Sequence, residues 1–455
     1  MNKIFSLIVM LVTICNASAQ LRHPSRDAQD RHEIPRGFVV ITSDGMGEVF
    51  YTEADYQRMA RLGSNFQVIR IDPTKLGSKV DSSVTQEYLL KLDSLVNLGR
   101  NVGIKSALKL TVYGMEDFSW ENFWSNKHNL KEQHIDRWKI LWERYKSDDF
   151  VVGYDLLNEP RKMSFNATYT ELTNNHLVPY YEQVIDEAVK YNPDKLFYCQ
   201  SIFVNKGEQE EHMQYSPIEV PINRKNVVFT PHTYKNVVAE VAPTMDMFDQ
   251  NSEVMGATMF VGEWGFPTYN STDRQLNKQF DYIELYLATA NEFDRLGCGS
   301  IKAWFTGSRR VLPDDKFTWS MFQDQKAVGS YERKYIMDII ARPYPQVIAG
   351  DIYQFNFDYA KRLFSMELMP DNKKGASSIY VSADRFYPDG FTIEFGSDII
   401  LSYDPMKNVG LEVKKNEAHF DVSNFIWDSA KQRFVILMWP CDGSMTHIKI
   451  YPGIY

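Results

Sequence analysis

The sequence predicts an α/β fold: a (β/α)8 TIM barrel followed by a small all-β sandwich. Three observations carry this expectation. Short β-branched runs alternate with amphipathic helical segments from Gly37 to Ile340, the rhythm breaks at Arg342-Pro343-Tyr344-Pro345, and short alternating strands fill the remainder. Eight strand–helix pairs match a closed parallel barrel, and short strands at regular spacing match a sandwich. The expected divisions are a leader over 1–20, the barrel over 21–345 and the sandwich over 350–455.

The leader rests on Lys3, an apolar run from Ile4 to Ile14, and Ala17-Ser18-Ala19 before the cut, the pattern of an export signal. The run is too short to span a bilayer. Bulky Ile14 disfavours a lipid anchor through Cys15, so the expected destination is periplasmic or secreted. The first strand is Gly37–Ile41. Thr52 with Asp55 caps a helix that stops at Gly63, and Phe66–Arg70 is the second strand. Ser83 with Gln86 caps the next helix. Strands follow at 105–112, 151–159, 195–201, 226–234, 258–264 and 300–305, with helices over 135–145, 177–191, roughly 240–256, 276–297 and 331–340. In the helix after the seventh strand, Leu276, Phe280, Ile283, Leu287, Ala290 and Phe293 recur at three- and four-residue steps, and Gly297 closes it. An open doubly wound sheet is disfavoured, because Gly45-Met46-Gly47 lacks the spacing of a phosphate loop. Sandwich strands are expected at 353–357, 362–366, 378–381, 391–395, 434–438 and 447–450.

Composition excludes several functions. Lys and Arg number 50 against 59 Asp and Glu, a net charge of -9, which disfavours a nucleic-acid surface. The nine histidines are scattered, HExxH and CxxC are absent, and Cys199, Cys298 and Cys441 form no zinc spacing. No metal or cofactor is expected.

Two apolar strands end in an acid: Asn158-Glu159-Pro160 after the fourth, and Gly262-Glu263-Trp264 after the seventh. In a barrel all strand ends open onto one face, so Glu159 and Glu263 are expected to meet in one cleft. Two carboxyl groups about 5–5.5 Å apart suit retaining glycoside hydrolysis, one attacking the anomeric carbon and one protonating the departing oxygen. Charge on the first is expected to raise the pKa of the second. Asn158 is placed to donate to a sugar hydroxyl.

These motifs resemble glycoside hydrolase family five over residues 35–342. The resemblance implies Glu159 as general acid/base and Glu263 as nucleophile. It further implies Arg70 as the cation orienting Glu263, His232 and Tyr234 as the sixth-strand pair, and Trp304 as the platform under the sugar. One element departs: the third strand, Leu108-Lys109-Leu110-Thr111-Val112-Tyr113, lacks the usual histidine. Lys109 or Tyr113, or His128 or His134 from the following loop, are the candidates to replace it. The junction Arg342–Gly350 and the segment Tyr387-Pro388-Asp389-Gly390-Phe391 resemble those of endoglycoceramidases, which implies cleavage between a glycan and ceramide. A soluble β-glucan, mannan or β-glucoside is the alternative substrate, and a non-catalytic carbohydrate-binding protein the third possibility. Aromatic loops after strand three (Phe118, Trp120, Phe123, Trp124) and strand eight (Phe317, Trp319, Met321, Phe322) are expected either to line the cleft, with peripheral contact to lipid, or to pack as satellite core.

Overall fold

The computed structural model describes residues 31–44, 47–77, 82–204, 215–308, 313, 315–323, 332–407 and 410–455. The expected leader, with Cys15, and Gly45-Met46 lie outside them. The barrel closes through parallel strands β1 Arg36–Ile41, β2 Phe66–Ile71, β3 Lys105–Leu110, β4 Val151–Asp155, β5 Leu196–Cys199, β6 Val227–Phe229, β7 Thr258–Trp264 and β8 Gly299–Lys302. The register Ser300↔Arg36 returns β8 to β1. Period-two alternation splits each strand between two cores. Val39, Ile41, Phe66, Val68, Phe260 and Ile301 fill the interior, while Phe38, Val40, Ile69 and Leu108 face the surrounding helices.

Those helices are α1 Glu53–Arg61, α2 Ser83–Val102, α3 Leu130–Tyr145, α4 Val178–Ala188, α5 Val241–Val254, α6 Leu276–Leu296 and α7 Lys334–Ile340. The Thr52/Asp55 capping box forms as expected. The cap of α2 is Ser82, accepting from the N–H of Thr85 at 3.1 Å, one residue before the expected Ser83; adjacent serines offer the same oxygen. Gly103 and Gly297 end α2 and α6 in the left-handed conformation. Among the described residues no helix joins β5 to β6. Instead a two-residue ladder, Ile202–Phe203 against Tyr215–Ser216, flanks the connection.

The C-terminal region is two facing sheets. Its strands are β9 Tyr344–Ile348, β10 Gly350–Asp358, β11 Leu363–Pro370, β12 Ser377–Tyr380, β13 Phe391–Phe395, β14 Ile399–Tyr403, β15 Glu412–Asn416, β16 Phe425–Asp428, β17 Arg433–Ile436 and β18 Thr446–Pro452. One sheet runs β9-β12-β17-β16, extended at the β9 edge by His32–Glu33; the other runs β10-β11-β18-β13-β14-β15. The sandwich therefore starts at Tyr344 and also takes a strand from before the barrel.

The junction is polar and buried. Tyr344 Oη and Gln346 Nε2 donate to the Gly63 carbonyl at 2.7 and 2.9 Å, and Tyr380 Oη to the Arg61 carbonyl at 2.9 Å. Gly63 has φ +88°, and a Cβ there would lie 2.6 Å from the Tyr380 ring. Beneath, Asp294 Oδ1 pairs with Arg36 at 2.7 Å and Arg342 at 2.9 Å, and the Arg36 guanidinium stacks 4.5 Å from the Tyr344 ring centre. Removing one partner of a buried pair leaves an uncompensated charge. We expect Asp294→Ala to lower the unfolding free energy by about 3–5 kcal/mol, read by urea titration, with barrel and sandwich signals shifting together.

Candidate active site

Strand register sets out the chemistry. Arg70 of β2, Lys109 of β3 and Asp155 of β4 are successive partners at one level, and His232 is the partner of Glu263. Gly262 makes the last pairing possible: a Cβ there would lie 2.3 Å from Thr230 Oγ1 and 3.3 Å from His232 Nε2. Glu159 lies four residues past β4 rather than at its end. Leu156 and Leu157 are buried in between, and the Leu156 N–H still bonds the Tyr198 carbonyl at 3.1 Å. The Glu159 backbone turns through φ +45°, a conformation uncommon outside glycine. Its N–H donates to Gln200 Oε1 at 3.0 Å, and Gln200 Nε2 donates to Asp155 Oδ1 and Oδ2 at 3.0 and 3.2 Å.

At the centre is Lys109, wholly buried. Its Nζ donates to Glu263 Oε1 at 2.8 Å and His232 Nε2 at 3.1 Å, and pairs with Asp155 Oδ2 at 3.4 Å. An ammonium carries only donors, so His232 Nε2 accepts and the imidazole is neutral. The ring proton is then on Nδ1, which donates to Glu159 Oε1 at 3.1 Å. Tyr234 Oη donates to Glu263 Oε2. One side-chain oxygen or nitrogen from each of Glu159, His232 and Glu263 falls within 4.8 Å of the others, so the structure brings the two carboxyl groups together. These three residues also form a set that a metal ion could use, but the ammonium already bonds two of them and would repel a divalent cation.

Burial pushes the Glu263 carboxyl up, yet the charge of Lys109 and the hydroxyl of Tyr234 outweigh it and hold the group well below the usual carboxylate range. Burial would also strip the Lys109 proton; Glu263 and Asp155 keep it on and raise the amine's pKa. Asp155 itself is raised by burial. For Glu159, burial and the charge of Glu263 push upward, but the His232 hydrogen bond and Arg161, whose Nη2 is 3.3 Å from Oε2, bring it below the usual value. That direction is opposite to the one the sequence suggested, because His232 and Arg161 act on the same carboxyl. Lys302 on β8 is buried beside Glu263, and burial brings it down to about 7.

The other expected residues divide. Asn158 is buried at the edge of a cavity of about 530 Å³ shared with Glu159, Arg161, Tyr113 and Arg70. Trp304 is half-buried on an adjoining cavity of about 460 Å³. Its ring sits 6.4 Å from that of Trp319, which meets Tyr234 edge-on at 5.1 Å. Arg70 lines both cavities but makes no ion pair with Glu263; among the described residues that contact belongs to Lys109. His134 is buried against Tyr180, its Nδ1 2.6 Å from the hydroxyl, and burial pushes it down to about 3; His128 is exposed on a turn. Neither replaces the third-strand histidine. Trp120, Phe123 and Trp124 are buried within the main core, not as a separate satellite, with Trp120 bordering the larger cavity. Phe317 is 56% exposed and paired across a short ladder with Tyr269.

Asp155, Arg161, Gln200 and Lys302 were not singled out in the sequence as site residues. Asp155 and Lys302 carried a usable signal, since a charge inside an apolar strand is expensive unless partnered.

Comparison with known proteins agrees with this geometry. Residues 39–293 match the cellulase family, glycosyl hydrolase family 5, and residues 342–450 match the glycoside hydrolase family 5 C-terminal domain. A curated relative, "Probable glucan 1,3-beta-glucosidase A" of Neosartorya fischeri, is 26% identical over 166 residues, 35% of this chain and 37% of the relative. Endo-glycoceramidase II from Rhodococcus sp. superposes with a TM-score of 0.67 at 20% identity, covering 94% of this chain and 99% of that one. Sterylglucosidase 1 of Cryptococcus neoformans superposes at 0.66 with 9% identity, over 95% and 97%.

Arg161 favours the ionised form of Glu159, so Arg161→Met should raise the carboxyl's pKa. If Glu159 must be protonated for turnover, the descending limb of the kcat/KM profile then moves to higher pH, as a pH–rate series will show.

Proposed function

We propose a division of labour and a substrate for this chain, which belongs to glycosyl hydrolase family 5 and is a retaining glycoside hydrolase. Glu263 is the nucleophile and Glu159 the general acid/base. The observation that carries this is the approach of the two carboxyl groups: an oxygen of each lies within 4.8 Å of the other, closer to the spacing of retaining than of inverting hydrolases. Glu263, kept ionised by Lys109 and Tyr234, attacks the anomeric carbon while Glu159 passes its proton to the departing oxygen. Esterification removes the charge on Glu263; Glu159, now a carboxylate, takes a proton from the incoming water, and the hydroxide releases the sugar with retained configuration. Trp304 lies under the ring and Asn158 bonds a hydroxyl beside the reacting carbon.

The substrate we propose is a glycosphingolipid, cut between glycan and ceramide. Two features support it: likeness in fold to endo-glycoceramidase II over barrel and sandwich together, and exposed apolar rings on the loops after β7 and β8, where Phe317 and Tyr269 pair. Such a rim offers an apolar aglycone a place to rest and the protein a peripheral contact with lipid. No helix among the described residues is long and apolar enough to cross a membrane. The pattern over Met1–Gln20 supports export to the periplasm or medium. A soluble β-glucoside is the second reading, favoured by the curated glucosidase relative.

Mass-spectrometric product analysis on fluorescent glycosphingolipids beside soluble β-glucans separates the two; release of intact ceramide supports the first, and cleavage of glucans alone rejects it. We expect Glu159→Ala to lower kcat by about 10²–10⁴-fold on substrates with poor leaving groups. Glu263→Gly should abolish turnover, and added azide should restore product of inverted configuration. Inverted product from Glu159→Gly, with retained product from Glu263→Gly, would show the roles to be exchanged.

A further inference from the structure

We propose that Lys109 has taken over the task of holding the nucleophile ionised and oriented, and that Arg70, thereby released, contacts the glycone of the substrate. The inference rests on Glu263 being the nucleophile.

Arg70 and Lys109 are register partners on adjacent strands. Lys109 reaches Glu263 and spends all three donors inside the protein, on Glu263, His232 and Asp155. With Tyr234 on the other oxygen, both oxygens of Glu263 have a donor. Arg70 has no remaining role there. Its guanidinium carries five donors, yet among the described residues it makes neither a hydrogen bond nor an ion pair. It is partly exposed where the two cavities of the catalytic face meet, between Trp304 on one side and Asn158 with Glu159 on the other. Donors that no protein group takes, beside the aromatic platform, suit the hydroxyls of a bound sugar. The charge of that sugar follows from the other groups that line the cavity. Asp44 and Asp72 line the same cavity as Arg70 and Trp304. With two carboxylates in the lining, a neutral hexose fits better than a carboxylated or sulfated sugar, which would meet two anions.

Lys109 is thus a positioning residue and Arg70 a specificity residue, and the two predict different kinetic losses. The groups around Glu263 are Lys109 from β3, Asp155 and Glu159 from β4 and its extension, His232 and Tyr234 after β6, and Lys302 from β8. The test is a set of pH–rate profiles on an activated aryl β-glycoside, where proton donation to the leaving group matters least. Lys109→Met should move the ascending limb of kcat/KM up by at least about one pH unit, with kcat reduced and KM little changed, and Lys109→Arg should recover much of the limb's position. Arg70→Met should leave the limb in place and raise KM by about tenfold or more. Lys109→Met risks misfolding through the stranded Asp155, so Lys109→Met/Asp155→Asn, which removes both charges of the buried pair, is run beside it with thermal melts. A limb moved by Arg70→Met and unmoved in both Lys109 variants would overturn the inference. Trapping with a 2-fluoro glycoside and peptide mapping keeps its basis separate: a label elsewhere than Glu263 refutes the nucleophile assignment, whereas a label on Glu263 with the wrong limb response refutes only the exchange of roles.

Discussion

The catalytic face depends on one buried ammonium. Charge in a barrel interior costs several kcal/mol unless opposite charge and hydrogen bonds compensate it, and Lys109 has two carboxylates and an imidazole within 3.4 Å. The bonds extend outward from there. Asp155 is held by Gln200, Gln200 fixes the backbone of Glu159, and His232 spans from the ammonium to the Glu159 carboxyl. The two acids are thereby tied together through protein atoms before any substrate arrives. This is preorganisation in the strict sense, since dipoles and charges are in position when the reaction begins.

The same network accounts for the protonation pattern. A neutral His232, compelled by a neighbour that can only donate, transmits a hydrogen bond rather than a charge to Glu159. The Glu159 carboxyl, pushed up by burial and by the charge of Glu263, is brought down by the His232 hydrogen bond and by Arg161.

Much of the fold was legible because periodicity and stop signals act locally. The barrel strands, the capping box at Thr52 and the glycine stops at 63 and 297 involve neighbours in sequence. So did the two acid motifs, since Asn-Glu-Pro and Gly-Glu-Trp each close an apolar run. What the sequence could not show involved distance. A lysine on β3 reaching Glu263 on β7 depends on barrel closure, and nothing in the sequence separates Lys109 from its register partner Arg70 as the contact. The pairing that opens the sandwich is of the same kind. His32–Glu33 pairs with Val347 and Ile348 across the whole barrel sequence, and β14 to β16 carry weaker alternation than the strands that were found.

The contact at Gly63 bears on how such proteins can be recombined. The carbonyls that end α1 receive their hydrogen bonds from Tyr344, Gln346 and Tyr380, and the absent side chain at Gly63 is the space into which the Tyr380 ring fits. The β-rich portion therefore completes a barrel helix instead of riding on a tether. Chimeras made by grafting a foreign barrel onto this tail will inherit a mismatched seam unless the α1 terminus is transplanted with it, so the two halves are constrained to diverge in step.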